Sequence, residues 1–242
     1  MNTPTVVKSR RATDRRAFTW FVIAFALFVF AGFARTYYLK PIFHGPVLPF
    51  LIHVHGLIMT AWIALLFLQI RLVAYRRVDL HRRLGFIGVW LTPLLILVAI
   101  EASIIMARRE YRVAHGSTGP LSFLALQLVG LLVPFVIFIA LAVVFRRQPD
   151  LHGRLMILAT LRLLPPATTR IPVGFIQNGG IPVLVGIDIL SVLACLVIDT
   201  VRNRRVSPVF LWGGLLLIGA DLGSIALSMT TGWMEFAKWL VN

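Results

Sequence analysis

The chain has 242 residues, of which 59% are hydrophobic and only 14% charged, with a mean hydropathy of +0.88. A soluble domain carries roughly a quarter charged residues, so the composition points to a bilayer as the solvent. The formal charge of +15 would suit a nucleic-acid binder, but the Lys and Arg residues sit at the ends of apolar runs rather than on one patch, which argues against nucleic acid as a partner.

Backbone amides in hydrocarbon must be bonded within their own segment, and the period-2 segments of a β-barrel are absent, so an all-α polytopic membrane helix bundle is predicted. In chain order, residues 1–16 form a polar, basic tail, and the apolar run 17–34 is too long for a signal-peptide core and reads as an uncleaved first span. Further runs long enough to cross ~30 Å of hydrocarbon lie at 47–70, 84–107, 121–145, 181–198 and 209–231. A shorter seventh candidate, 153–169, contains Arg162 and ends in Pro165-Pro166, which predicts a bent or unwound outer end. The Pro- and Gly-rich stretch from Arg170 to Pro182 reads as a loop or a partly re-entrant segment. The expectation is a single integral membrane domain, 1–242, with a bundle of about seven helices over 17–231. An interfacial segment, 232–242, follows, in which Trp233 and Trp239 favour the headgroup layer. The lone Cys195 has no partner for a disulfide or a thiolate metal site and reads as core filler.

Under the seven-span reading, sixteen of the 24 Lys and Arg fall on one side, in the N-terminal tail and the turns at 71–83, 146–154 and 202–205, and eight on the other. Short cytoplasmic loops carry the excess of basic residues, which predicts a cytoplasmic N-terminus and an extracytoplasmic C-terminus. The run from Tyr75 to Leu84 recurs from Phe145 to Leu155 with one residue inserted, suggesting an internal repeat of two helix hairpins related by an axis near the membrane normal.

His81-Arg82-Arg83-Leu84-Gly85 and His152-Gly153-Arg154-Leu155-Met156 give the chain its resemblance to an uncharacterised family of bacterial predicted multi-pass membrane proteins, a domain of unknown function. Those proteins carry a His-Arg-x-x-Gly loop and a His-x-x-x-Met at a helix start. The likeness covers residues 50 to 165 or so and implies a multi-pass protein of the bacterial cytoplasmic membrane, without an established activity.

Within the repeat, Asp79 and Asp150 are expected to be N-caps of the helices that follow. His81 and His152 then have two readings. Beside arginines in a first helical turn they bind headgroup phosphates; as an inward-facing pair they are the two imidazoles that a six-coordinate haem b needs. A second constellation emerges when depth is counted at 1.5 Å per residue. His53, His55, Glu101, Arg162, Asp188 and Asp221 all fall roughly 9–15 Å below the outer surface. Charged groups at such depth should pair with one another or line a wet cavity. Three carboxylates against Arg162 leave two negative charges, to be met by protons, by a protonated His, by Arg170 reaching down from the loop, or by a bound cation. His53 and His55 lie about 200° apart around a helix, so one of them at most joins the cluster. His55 shares a face with Met59 and Trp62, a spacing that serves either interhelical packing or a haem or transition-metal ligand pair.

Nucleotide-binding and zinc-protease fingerprints are missing. The readings that stay open are a membrane redox protein holding haem b, a metal or a quinone through His53, His55, His81 and His152; a proton-coupled transporter using Glu101, Asp188, Asp221 and Arg162; an accessory subunit that docks on other membrane-protein subunits; and a metal hydrolase acting on lipid.

Overall fold

A computed structural model describes residues 4–44 and 47–242, with side chains from Thr19 onward, so the basic residues of the N-terminal tail lie outside the described side chains. Every regular element among the described residues is helical. Six helical stretches are long and apolar enough to cross a bilayer: Thr19–Tyr38, Phe50–Ala74, Val78–Val113, Gly119–Val144, Gly180–Asn203 and Pro208–Ser228. The chain divides into two units, Met1–Ala99 and Ile100–Asn242.

In the first unit, α1 (Pro4–Phe33) runs into a five-residue π-helical segment, Ala34–Tyr38, and packs along α2 (Phe50–Ala74). Val22, Phe25 and Val29 on α1, and Ile58, Trp62 and Leu66 on α2, are buried; both sets follow the helical repeat and make one apolar stripe each. Gly56 on α2 has no side chain because the Tyr37 ring occupies that space: a Cβ there would sit 2.3 Å from Tyr37 Cζ. The tyrosine hydroxyl donates to the His53 carbonyl at 3.2 Å, and Tyr38 and Thr60 share a hydrogen bond of 3.0 Å. Helix α3 (Val78–Val113) has 36 residues, so at ~1.5 Å per residue it exceeds the hydrocarbon thickness, and it carries Pro93 within it.

In the second unit, α4 (Gly119–Ala125), a seven-residue π segment (Leu126–Leu132) and α5 (Val133–Val144) form one continuous crossing. Helix α6 (Pro149–Leu161) returns beside α5 and stops; one-turn α7 (Pro165–Thr168) and short α8 (Gly174–Asn178) lead into α9 (Gly180–Asn203) and α10 (Pro208–Ser228). The seventh expected span is therefore no continuous helix: its 13 residues in α6 reach ~20 Å, short of the hydrocarbon width. Phe135, Phe138, Leu158, Phe210 and Leu217 are among the most deeply buried side chains of this unit. The α10 glycines let its neighbours close in: a Cβ on Gly213 would lie 2.3 Å from a Leu158 methyl, and one on Gly214 2.5 Å from a Val192 methyl. Small residues at helix crossings are how membrane helices gain close packing without a hydrophobic driving force.

The C-terminal segment forms α11 (Thr231–Val241), capped by the Thr230 hydroxyl accepting from the Trp233 N–H at 3.2 Å. Trp233, Ala237 and Val241 pack on Ala107, Leu121, Leu124 and Ala125, while Phe236 and Trp239 face outward. Trp233 Nε1 donates to the Leu121 carbonyl at 2.9 Å, and Arg108 donates to the carbonyls of Leu240 and Val241, closing the far end of the helix. Asp79 and Asp150 are corrected from N-caps to second residues of α3 and α6; the position before α6 is Gln148, which makes no side-chain cap bond. From the first turn both carboxylates still complement the helix dipole.

Candidate functional site

The centre of the second unit is built by the abrupt end of α6. Pro165 and Pro166 offer no N–H and cannot extend a helix that reaches them. The chain tightens instead into three-residue turns, Leu163 N–H to the Thr160 carbonyl and Leu164 N–H to the Leu161 carbonyl, both at 3.0 Å. Arg162 occupies the C-cap position and its side chain enters the bundle, where it is only 2% exposed.

Its guanidinium meets three elements. Nη1 donates to Asp188 Oδ2 on α9 at 2.8 Å and to Asp221 Oδ2 on α10 at 3.3 Å; Nη2 donates to Asp221 Oδ1 at 2.6 Å and to the Gly130 carbonyl in the π segment at 2.7 Å. Asp221 is thus held by both terminal nitrogens, the paired geometry that arginine makes with carboxylates, and Asp188 by one. Gly130 can present its carbonyl because the residue four positions on is Pro134, which has no N–H to return to it. It can also approach α10 closely: a Cβ at this position would stand 2.7 Å from Ser224 Oγ, whose hydroxyl donates to the Asp221 carbonyl at 2.8 Å. A π segment at this point fits the tendency of such wide turns to occur at functional sites.

The arginine has five N–H donors, of which four are used; Nε is buried and without a partner among the described residues. With both carboxylates ionised, the centre carries one positive and two negative charges in a setting where Asp188 is 9% and Asp221 5% exposed. A cavity of about 30 Å³ adjoins it, with Arg162, Asp188, Asp221, Gln127 and Thr169 in a lining that is otherwise apolar. A space of that size exceeds the roughly 10–15 Å³ that one water needs.

Arg162, Asp188 and Asp221, placed in one layer by the sequence, are therefore brought together. No family model, curated protein or solved structure matches this chain.

Glu101, expected in the same cluster, is corrected: it is exposed on α3, and among the described residues no ion pair includes it. Arg170 donates to the Pro166 carbonyl at 2.5 Å and to Thr169 Oγ1 at 3.4 Å. His53 is exposed, with its ring 5.8 Å from that of Tyr37, while His55 and Met59 are half-buried one turn apart on α2. Among the described residues, no three His, Cys, Asp or Glu side chains converge as a metal site would require.

The repeat histidines do unequal work. The Gln69 amide is oriented by partners with fixed roles, its nitrogen donating to the His81 carbonyl at 3.1 Å and its oxygen accepting from the Gly85 N–H at 2.9 Å. The same nitrogen lies 2.6 Å from His81 Nδ1, so Nδ1 accepts and a neutral His81 carries its proton on Nε2. His152 has the opposite tautomer, its Nδ1–H donating at 2.8 Å to the Ala142 carbonyl in the last turn of α5. A haem-ligating imidazole donates from its second nitrogen, which the His81 arrangement does not provide.

One ion pair was not foreseen. Arg154 on α6 reaches Asp199 Oδ1 on α9 from Nε at 3.1 Å and Nη2 at 3.0 Å, and Asn203 donates to the same oxygen at 2.9 Å. The i, i+4 spacing of Asp199 and Asn203 was the available signal.

Proposed function

We propose that this chain is a proton-coupled membrane transporter in which Asp188 takes up and releases a proton beside the fixed Arg162–Asp221 pair. The observation that carries the reading is two buried carboxylates on one buried arginine beside a cavity of about 30 Å³. With both acids ionised, one negative charge is unmet, and in a low-dielectric interior a proton is the least costly way to meet it. Asp188, held by a single bond, is the group that takes the proton; Asp221, held by two, stays paired. The cavity beside Asp188 has room for one water as a proton relay, and the broken path through α6, α7 and α8 resembles the discontinuous helices of transporters. In the bacterial inner membrane the arginine-rich turns at 76–83, 146–154 and 202–205 face the cytoplasm with the N-terminus, and the broken segment provides the extra passage that puts α11 on the outer surface.

Infrared difference spectroscopy of the full chain in lipid across a pH titration tests the proton site. The expected result is a protonated-carboxyl band that grows on acidification and disappears in Asp188→Asn. A titration without such a band, or a band that persists in that variant, refutes it. Electron transfer through haem b, a metal or a quinone on His53, His55, His81 and His152 ranks below this reading, because His81 Nδ1 accepts from Gln69 rather than donating.

A further inference from the structure

A groove of about 340 Å³ opens between the end of α5, the start of α6 and the start of α10. Its lining is apolar throughout and includes Phe138, Phe145, Leu155, Val209, Trp212 and Leu216. From Pro208 to Leu216 it runs down α10 for ~12 Å at 1.5 Å per residue, most of the ~15 Å that one leaflet's hydrocarbon occupies. The volume falls within the roughly 300–1,000 Å³ of ligand pockets.

Two pairs of arginines flank the groove residues in sequence, on two separate elements. Arg146 and Arg147 follow the groove residue Phe145 directly, and Arg204 and Arg205 come just before Pro208 at the start of α10. All four arginines are exposed, as is Asp150, the carboxylate of the same turns. Arg154 between Leu151 and Leu155 is committed to Asp199. Trp212, 69% exposed one turn into α10 from Pro208, is an amphipathic ring near the end of the helix, where tryptophan prefers to sit.

An apolar channel one leaflet deep below a cluster of arginines has the layout of an acyl chain below an anionic phosphate. We infer that this groove is a binding site for one anionic phospholipid of the bilayer, its acyl chain lying along α10 and its phosphodiester between Arg146, Arg147, Arg204 and Arg205. The bidentate fit of guanidinium to phosphate supplies the headgroup selectivity.

The test uses the full chain in nanodiscs of phosphatidylcholine doped with brominated phosphatidylglycerol or, separately, brominated phosphatidylcholine, bromine being a contact quencher of tryptophan. Brominated phosphatidylglycerol should quench more strongly at equal doping, with apparent affinity falling about fivefold for each arginine neutralised. The excess quenching should vanish in Trp212→Phe, which reports the groove and retains an aromatic ring. It should fall stepwise in Arg146→Gln with Arg147→Gln and in Arg204→Gln with Arg205→Gln, and shrink at high salt. Equal quenching by the two lipids overturns the inference. So does an excess that survives in Trp212→Phe, or a groove closed against both lipids by a second copy of the chain.

Discussion

Replacing Asp221 by Asn should destabilise the chain considerably more than replacing Asp188 by Asn. Asp221 accepts from both terminal nitrogens of Arg162, at 2.6 and 3.3 Å, whereas Asp188 accepts one bond of 2.8 Å. Breaking a buried ion pair from one side costs about 3–5 kcal/mol, and a hydrogen bond to a charged group is worth about 1.5–3 kcal/mol. In Asp188→Asn the amide oxygen still accepts from Nη1 while the paired Asp221 keeps the arginine neutralised, so the cost should be about 1 kcal/mol. In Asp221→Asn the two-point contact weakens and Asp188 must ionise, so about 3 kcal/mol is expected. Arg162→Leu strands both carboxylates beside each other and should be the worst of the three. For a chain of this size, each kcal/mol moves Tm by about 2–4 °C, so thermal unfolding in detergent followed by far-UV circular dichroism resolves the order. Equal losses in the two Asn variants, or an Arg162→Leu milder than either, would mean that the charges at this centre do not hold the helices together.

Gly130→Ala places a methyl 2.7 Å from Ser224 Oγ and should cost about 1–3 kcal/mol, with most of it recovered when Ser224→Gly is added; the same unfolding experiment decides. Nitrogen-15 NMR of labelled histidine should find the neutral His81 protonated on Nε2 and the neutral His152 on Nδ1, each signal assigned by its loss in the corresponding Asn variant. Matching tautomers would refute the hydrogen-bond assignments at Gln69 and Ala142. Trp233→Phe removes the bond to the Leu121 carbonyl, about 1 kcal/mol, and should raise protease cleavage within α11 while leaving cleavage at the α5–α6 turn unchanged.

The membrane class and all six long helical spans were legible because hydropathy and a 1.5 Å rise fix length and depth. The same count put Arg162, Asp188 and Asp221 in one layer. Depth does not give direction around a helix. Leu95, Val98 and Ala102 form the buried stripe of α3, and Glu101 lies about 90° away from its middle at 100° per residue, so it shares the layer without joining the centre. Pro165-Pro166 announced a break near Arg162, but whether so short a helix counts as a crossing depends on the residues beyond it. The Gly130 carbonyl was the least visible component. It is a backbone group, and only the spacing from Gly130 to Pro134 hints that it would lack its usual donor. The repeat suggested equal roles for His81 and His152, whereas each is anchored by a different hairpin partner, a Gln69 side chain in one and a backbone carbonyl in the other.

The short α6 also constrains how the chain is made. A 13-residue segment ending in an arginine is a poor substrate for membrane insertion, since an arginine at the middle of a span costs about 2.5–3.5 kcal/mol. The carboxylates that offset this charge are synthesised later, Asp188 by 26 residues and Asp221 by 59. The segment from Arg162 to Asn178 therefore cannot settle until α9 and α10 have entered the bilayer, which makes biogenesis of this unit a cooperative event timed by its last long helix. A chain truncated at Ser207 and released from the ribosome into membranes should leave this segment open to protease, and the full-length chain should protect it; protection already present in the truncated chain would place assembly before α10.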